Sequence, residues 1–198
     1  REVATKKAKD IVKMAVSKAR LLQPQEETKI PITDQALVIG GGVAGIQAAL
    51  DLADAGHHVY LVEKDASIGG IMARLDKTFP TMDCSICVLG PKMMDAGRHP
   101  NITLMPYSEV ESISGYVGNF KARIRKKARY IDETLCNSCG RCAEVCPVAV
   151  ADEFQQGFSS RKAAHVPFPQ AVPSSYIIDM KNCLGNNPVI CGKCVQVC

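Results

Sequence analysis

The sequence has no tryptophan, and aromatic residues make up only 5% of its 198 positions. Proteins that bind single-stranded nucleic acid usually combine a basic surface with aromatic side chains on which bases stack. Here the net charge is only +4, with 24 lysines and arginines against 20 acidic residues. The scarcity of aromatics and the nearly balanced charge argue against nucleic acid as a partner.

The sequence also has no stretch that resembles a signal peptide, and no apolar run approaches the roughly 20 residues of a membrane-spanning helix. We therefore expect a cytoplasmic protein without a membrane span. Ten cysteines are present, and in a reducing compartment they favour metal binding over structural disulfides. The chain begins at Arg1 and ends on Cys198 within a cysteine motif, so we expect an internal piece of a longer polypeptide.

Changes in pattern along the chain predict three segments. Residues 1–33 begin with apolar side chains at helical spacing and reach Pro24, which predicts a linker helix. Residues 34–132 alternate apolar strands with glycine turns and a helix, as a partial dinucleotide-binding domain does. Residues 133–198 hold eight of the ten cysteines and are predicted to form a second domain.

The stretch "VIGGGVAG" places Gly40, Gly42 and Gly45 in the G-x-G-x-x-G pattern. In a Rossmann fold the first glycine permits a tight turn, the second admits a pyrophosphate, and the third lets the helix pack closely. The helix begins near Val43 and Ala44, whose backbone N–H groups would face the phosphates. A glycine-rich turn without a ligand is the alternative.

The second apolar segment ends at Glu63, 18 residues beyond Gly45. A carboxylate at this place accepts hydrogen bonds from ribose hydroxyls and would repel the extra phosphate of NADP. Lys64 follows it and is included in the predicted site. Beyond them, Gly69 and Gly70 form a second glycine pair, which resembles the FAD site of flavoproteins with two dinucleotide-binding domains. We therefore expect FAD rather than NAD.

Three short segments, "NITLMP", "SEVESISG" and "FKARIRKKARYID", alternate apolar and polar residues and predict an antiparallel meander. Flavoproteins of the same class have such a meander after the cofactor site. Val110, at its start, is expected to contact the adenine through its backbone. Basic residues alternate along the last segment as far as Arg129, which predicts a solvated strand face.

The run "CNSCGRCAEVCP" has the C-x2-C-x2-C-x3-C-P spacing of bacterial ferredoxins that bind [4Fe–4S] clusters. A second run keeps C-x2-C-x3-C but has seven residues in its first gap. The prolines between the two runs predict an extended loop. A zinc site is the alternative, although zinc ligands are usually arranged in pairs.

In two-cluster ferredoxins, the fourth cysteine of each run ligates the other cluster. We therefore expect two [4Fe–4S] clusters with crossed ligands. The first would be held by Cys136, Cys139, Cys142 and Cys198. The second would be held by Cys183, Cys191, Cys194 and Cys146.

Two further cysteines, Cys84 and Cys87, lie in "FPTMDCSICVLGPKMM". A redox-active disulfide, part of another metal site and a pair of ordinary thiols are all open interpretations. Asp83 raises the pKa of a neighbouring thiol and no cation flanks the pair, which disfavours a thioredoxin-like dithiol.

The run "GGGVAGIQAALDLADAGHHVYLVEK", the segment "FPTMDCSICVLGPKMM" and a dicluster ferredoxin with "FPQAVP" between its cysteine runs together resemble the A-subunit family of heterodisulfide reductase. The resemblance covers essentially the whole chain. It implies an α/β fold: a partial Rossmann-like FAD-binding domain of the thioredoxin reductase type, with an inserted α+β dicluster ferredoxin domain. It also implies a third [4Fe–4S] cluster on Cys84 and Cys87, completed by cysteines of a domain outside this chain.

The resemblance implies an oxidoreductase subunit that uses FAD for electron bifurcation. Its partners would be the B and C subunits, a hydrogenase or formate dehydrogenase module, and ferredoxin, in a complex expected to dimerise. One acceptor would be the mixed disulfide of coenzymes M and B. A cluster-relay subunit with another acceptor and an NAD(P)H-linked flavoprotein are the alternatives, but the latter class has its ferredoxin domain before the flavin domain.

Overall fold

The computed structural model describes residues 1–24, 27, 29–186 and 190–198. The chain forms two compact units, Arg1–Ile32 and Thr33–Cys198. In the described residues of the first unit, α1 (Glu2–Leu21) lies where the apolar spacing predicts a helix. No helix within the described residues is long and apolar enough to span a membrane.

The second unit begins with a parallel α/β arrangement. Its elements are β1 (Gln35–Ile39), α2 (Val43–Asp54), β2 (His58–Val62), a 3-10 helix (Gly70–Arg74), the short strands β3 (Lys77–Thr78) and β4 (Asp83–Cys84), α3 (Ser85–Arg98) and β5 (Ile102–Met105). The strand order is β1-β2-β5, and both pairings are parallel. Val38, Leu61 and Leu104 lie in register across the sheet.

An apolar core holds this sheet against α2 and α3. Leu61 in the central strand, Ile46 in α2 and Leu89 and Met93 in α3 are all fully buried in it. Apolar residues therefore recur at helical spacing in α3 and point into the same core as the strand residues. This packing fixes the carboxyl edge of the sheet, where β1 runs into the glycine turn.

The predicted meander is wrong in its first strand. β5 pairs in parallel with β2, while β6 (Ser108–Tyr116) and β7 (Asn119–Lys126) form a separate antiparallel hairpin with a bulge between Val110 and Ser112. Ile102 is buried in the apolar core. Alternation along "NITLM" shows only that one face is buried, so the sequence pattern did not distinguish a parallel partner from an antiparallel one.

The elements described in the cysteine-rich end are all short. They are α4 (Arg141–Glu144), β8 (Ala149–Ala151), β9 (Ser160–Lys162), β10 (Ala164–His165), β11 (Ile177–Ile178), a 3-10 helix (Leu184–Asn186) and α5 (Lys193–Gln196). Gly140 and Gly192 precede α4 and α5 with φ of +83° and +61°. The two cysteine runs thus turn into their helices in the same left-handed conformation, which glycine adopts without strain.

The proline-rich segment 166–173, which we call the strap, forms neither helix nor strand, and it is partly buried. Phe168 and Ala171 are buried, and both belong to the apolar core of the parallel sheet. Val166 and Val172 pack against the same core. The prolines predict an extended loop, and the burial of Phe168 and Ala171 adds a contact with the core that this prediction did not include.

Candidate functional site

The glycine turn has the geometry that a dinucleotide site requires. Gly40 has a φ of +101°, and its N–H donates to the Val62 carbonyl at 2.8 Å. A Cβ on Gly45 would overlap the Gly40 carbonyl oxygen, whereas a Cβ on Gly42 would meet nothing within 4 Å. The turn is therefore packed tightly at Gly45 and open at Gly42, where the sequence predicts the approach of the pyrophosphate.

The start of α2 leaves backbone donors available beside this open space. Gly42 is the N-cap residue, no side chain caps the 12-residue helix, and its first turn has no acidic residue. Val43 and Ala44 are exposed. Since N–H groups at a helix start attract anions, the backbone donors and the space at Gly42 fit the diphosphate of a dinucleotide such as FAD.

The structure places Glu63 at the carboxyl end of β2, where it is 6% exposed. Its carboxylate oxygens accept the Gly41 N–H at 2.6 Å and the Asp65 N–H at 2.9 Å. Glu63 thus holds the glycine turn in addition to its predicted contact with ribose. A carboxylate has about four acceptor positions, so these two bonds leave capacity for a ribose hydroxyl.

The second glycine pair lies directly against the glycine turn. The Gly69 N–H donates to the Gly41 carbonyl at 2.7 Å, and a Cβ on Gly70 would lie 3.1 Å from the Gly42 Cα. Lys64 is exposed beside Glu63. Val110 lies further along, in β6 opposite Ile124. These positions support the predicted FAD site, and the contacts with FAD themselves stay predictions.

The first predicted ligand set lines one cavity. This cavity has a volume of about 700 Å³, and its cysteines are Cys136, Cys139, Cys142, Cys198 and Cys194. Cys198 is thus brought beside the first cysteine run although it ends the second. The fifth cysteine, Cys194, belongs to the second predicted set and lies on the boundary between two cavities.

The second predicted ligand set lines the neighbouring cavity. Its cysteines are Cys146, Cys183, Cys191 and Cys194. Cys146 therefore lies with the second run although it ends the first. Cys194 and Ile178 line both cavities, so the two cavities adjoin. This arrangement supports the crossed assignment of ligands.

The chemistry of the thiols also fits iron–sulfur clusters. Burial raises the pKa of the Cys142 thiol, and the neighbouring thiolates of Cys136 and Cys139 raise it further. Burial raises the pKa of Cys194 in the same way, with added contributions from Cys183 and Cys191. Bound iron would deprotonate these thiols directly, so their raised pKa does not oppose ligation.

A zinc ion finds no comparable site in the described ranges. No group of three or more histidine, cysteine, aspartate or glutamate side chains in those ranges is arranged to hold a single metal ion. A structural zinc site has about four such ligands in tetrahedral array.

The structure joins Cys84 and Cys87 in a disulfide at the start of α3. The two cysteines are therefore oxidised in the structure, as the disulfide interpretation requires. Cluster ligands would have to be reduced. Cys84 is exposed at the N-cap of this helix. The third cluster, which needs the pair reduced and ligands from elsewhere, stays a prediction.

Arg129 is buried, although the alternation of basic residues predicts that it lies on a solvated strand face. The side chain is 3% exposed, and its guanidinium donates to the Ala66 carbonyl at 2.7 Å and the Ser175 carbonyl at 3.1 Å. It also lies 3.0 Å from a Glu133 carboxylate oxygen. Arg129 follows the end of β7, where the alternation no longer indicates which face a residue occupies.

Two family profiles match this chain. That of the FAD dependent oxidoreductases matches residues 35–157, and that of the 4Fe-4S double cluster binding domain matches residues 135–198. The first match covers more than half of the chain. Together the matches support the fold class and establish FAD and [4Fe–4S] as the cofactor types.

Three curated relatives are similar over nearly all of this chain. The A-subunit of the H(2):CoB-CoM heterodisulfide,ferredoxin reductase of Methanothermobacter marburgensis is 57% identical over 100% of the chain and 29% of its own length. The iron-sulfur A-subunit 2 of the CoB--CoM heterodisulfide reductase of Methanopyrus kandleri is 63% identical over 88% and 27%. The A-subunit of the ferredoxin:CoB-CoM heterodisulfide reductase of Methanosarcina mazei is 46% identical over 100% and 24%.

The chain therefore spans less than a third of the length of these relatives. Their names confirm the resemblance to the A-subunit family of heterodisulfide reductase that the motifs indicated. The glycine turn, the cysteine sets and the matching family profiles lead to one conclusion: this chain belongs to the FAD dependent oxidoreductase family, and it carries a 4Fe-4S double cluster binding domain.

Proposed function

We propose that this chain is the flavin and cluster part of an electron-bifurcating heterodisulfide reductase subunit. One observation carries the proposal: the cysteine-rich region, which contains the two cavities, packs against the FAD-binding fold. The strap, which lies between the two cysteine runs, is buried in the core of the parallel sheet. Such packing fixes the distance between flavin and clusters, on which electron transfer depends.

In the proposed function the protein residues bind and position the cofactors. The N–H groups at the start of α2 bind the diphosphate, and Glu63 holds the turn and accepts a ribose hydroxyl. Two crossed sets of cysteines hold two [4Fe–4S] clusters, and the adjoining cavities that these cysteines line support a short distance between the clusters. FAD, when bound, accepts electrons in pairs and releases them singly, one toward ferredoxin and one toward the mixed disulfide of coenzymes M and B.

The proposed partners follow from the relatives' names and from the family resemblance. They are the B and C subunits, a hydrogenase or formate dehydrogenase module that supplies electrons, and ferredoxin. We infer that two such complexes associate as a dimer. A reducing, cytoplasmic setting fits a protein with eight cysteines free of disulfides among those described.

Electron accounting in the full complex tests this proposal. Reduction of one mixed disulfide of coenzymes M and B consumes two electrons. Bifurcation therefore predicts that two electrons reach ferredoxin for every mixed disulfide reduced, even where reduction of ferredoxin alone has an unfavourable free energy. A cluster-relay subunit would only equilibrate electrons between its partners. Disulfide reduction that proceeds at full rate without ferredoxin would reject bifurcation and favour the relay.

A further inference from the structure

The strap makes a backbone contact with the segment just before the second glycine pair. The Ile68 N–H donates to the Val172 carbonyl at 3.1 Å, and the Val172 N–H donates to Ser67 Oγ at 2.9 Å. The N–H and the carbonyl of Val172 are thus both hydrogen-bonded to this segment. Ser67 and Val172 are 105 positions apart in the sequence. The buried hydroxyl of Ser67 also lies 2.9 Å from the Ile68 carbonyl oxygen, to which it can donate.

An aromatic side chain of the strap also packs against residues 67–69. Phe168 is 7% exposed, and a Cβ on Gly69 would lie 3.4 Å from its Cζ atom. Its ring stacks on Phe154, with centroids 4.7 Å apart and planes at 15°. Phe168 therefore fills the space beneath Gly69 and is itself held by a second ring of the cluster-binding region.

The supported segment in turn holds the glycine turn. A Cβ on Gly41 would lie 2.5 Å from Cγ2 of Ile68, which is fully buried, so the two residues are in close contact. Gly69 donates its N–H to the Gly41 carbonyl. A continuous set of contacts thus runs from Phe168 and Val172 through residues 67–69 to the turn at Gly41.

We infer that the strap is a positioning element of the flavin site, so that FAD is retained only while the cluster-binding region is docked. Phe168 and Val172 line neither of the two cysteine cavities. They act by fixing residues 67–69, which hold the Gly41 carbonyl through the Gly69 N–H. This inference rests on the proposed flavin site at the glycine turn.

The first test compares two phenylalanines in the full-length subunit. Phe168→Ala removes the buried ring, and we expect the dissociation constant of FAD to rise at least about tenfold while iron content stays unchanged. Phe158→Ala is the matched control, because Phe158 is 95% exposed in the same region. Iron and FAD lost in equal measure, or FAD retained at wild-type affinity, would overturn the inference.

A second pair of variants covers the case in which Phe168→Ala does not fold. A Cβ on Gly97, in α3, would lie 2.8 Å from Cγ1 of Val172. Gly97→Ala should therefore displace the strap and weaken FAD binding, and adding Val172→Ala should restore it by removing the methyl group that clashes. If the double variant is as weak as Gly97→Ala alone, the effect does not act through the strap.

Hydrogen exchange provides a readout that needs no bound flavin. We expect the Ile68 amide, which donates to Val172, to exchange at least about tenfold faster in Gly97→Ala and to recover in the double variant. If the Ile68 amide responds in this way but Gly42→Val keeps its FAD, the proposed flavin site is wrong and the strap contact stands. If Gly42→Val loses FAD but Ile68 does not respond, the strap inference is wrong.

Discussion

The flavin region, residues 34–132, and the cluster region, residues 133–198, are stabilised in different ways. In the flavin region, three parallel strands and two helices share an apolar core with many fully buried residues. In the cluster region, the buried apolar residues among those described are Ala163, Ala164, Phe168, Ala171 and Ile177, of which Phe168 and Ala171 belong to the flavin core. The described part of the cluster region therefore has almost no core of its own.

This difference indicates what each region depends on. The flavin region supplies most of the buried apolar core, and its proposed site lies where the strands end. The cluster region needs cross-links, which the two proposed clusters would supply by joining both ends of the segment. It also needs the flavin region, through the strap and through Arg129.

The largest expected effect is the loss of the cluster region when iron is removed. In the iron-depleted full-length protein, amides of β8 to β11 should exchange about a hundredfold faster, a loss of about 2.7 kcal/mol. Amides of β1, β2 and β5 should keep their protection, measured by mass spectrometry. Equal loss of protection in both regions would show that they are not stabilised separately.

Replacement of Gly42 by valine should abolish flavin binding without unfolding the flavin region. Gly42 has a φ of −76°, which valine adopts readily, and open space beside it. The added methyl groups therefore occupy the space predicted for the pyrophosphate. Flavin absorbance per subunit measures the loss, and Gly90→Ala, at another open glycine in α3, is the control. A full complement of FAD in Gly42→Val would reject the assigned site.

Loss of Arg129 should weaken the connection between the two regions. Arg129→Ala removes donors to the Ala66 and Ser175 carbonyls and takes from Glu133 its ion pair with this guanidinium. We expect a destabilisation of about 2 kcal/mol in thermal unfolding of the holoprotein. Arg123, exposed on the β6–β7 hairpin, provides the control, for which a change below about 0.5 kcal/mol is expected. Similar shifts for both variants would contradict a bridging role.

The smallest expected effect concerns Cys84 and Cys87. The third-cluster hypothesis predicts that Cys84→Ala or Cys87→Ala removes about four iron atoms from each full-length polypeptide and leaves the other clusters intact. Iron counting with thiol labelling measures this. Unchanged iron together with a newly reactive thiol would instead support the disulfide seen in the structure.

The glycine turn and the cysteine runs were predictable from the sequence, because each motif consists of residues close together in the chain. The turn at Gly40, the carboxylate at Glu63 and the cysteine spacing all depend on a few consecutive residues, and the structure places them accordingly. The partner of β5, the burial of Arg129 and the packing of Phe168 depend on residues distant in sequence. Periodicity shows that one face of an element is buried, but it does not show which element packs against that face. In the strap, the prolines interrupt the periodicity, so the sequence did not indicate burial there.

The crossed ligation of the clusters is the central claim, and comparison of four serine variants tests it most directly. Electron paramagnetic resonance of the reduced full-length protein would be recorded for Cys139→Ser, Cys198→Ser, Cys146→Ser and Cys191→Ser. The account predicts that Cys198→Ser alters the same cluster signal as Cys139→Ser, while Cys146→Ser alters the same signal as Cys191→Ser. If Cys198→Ser instead changes the signal that Cys191→Ser changes, each run holds its own cluster and the account is contradicted.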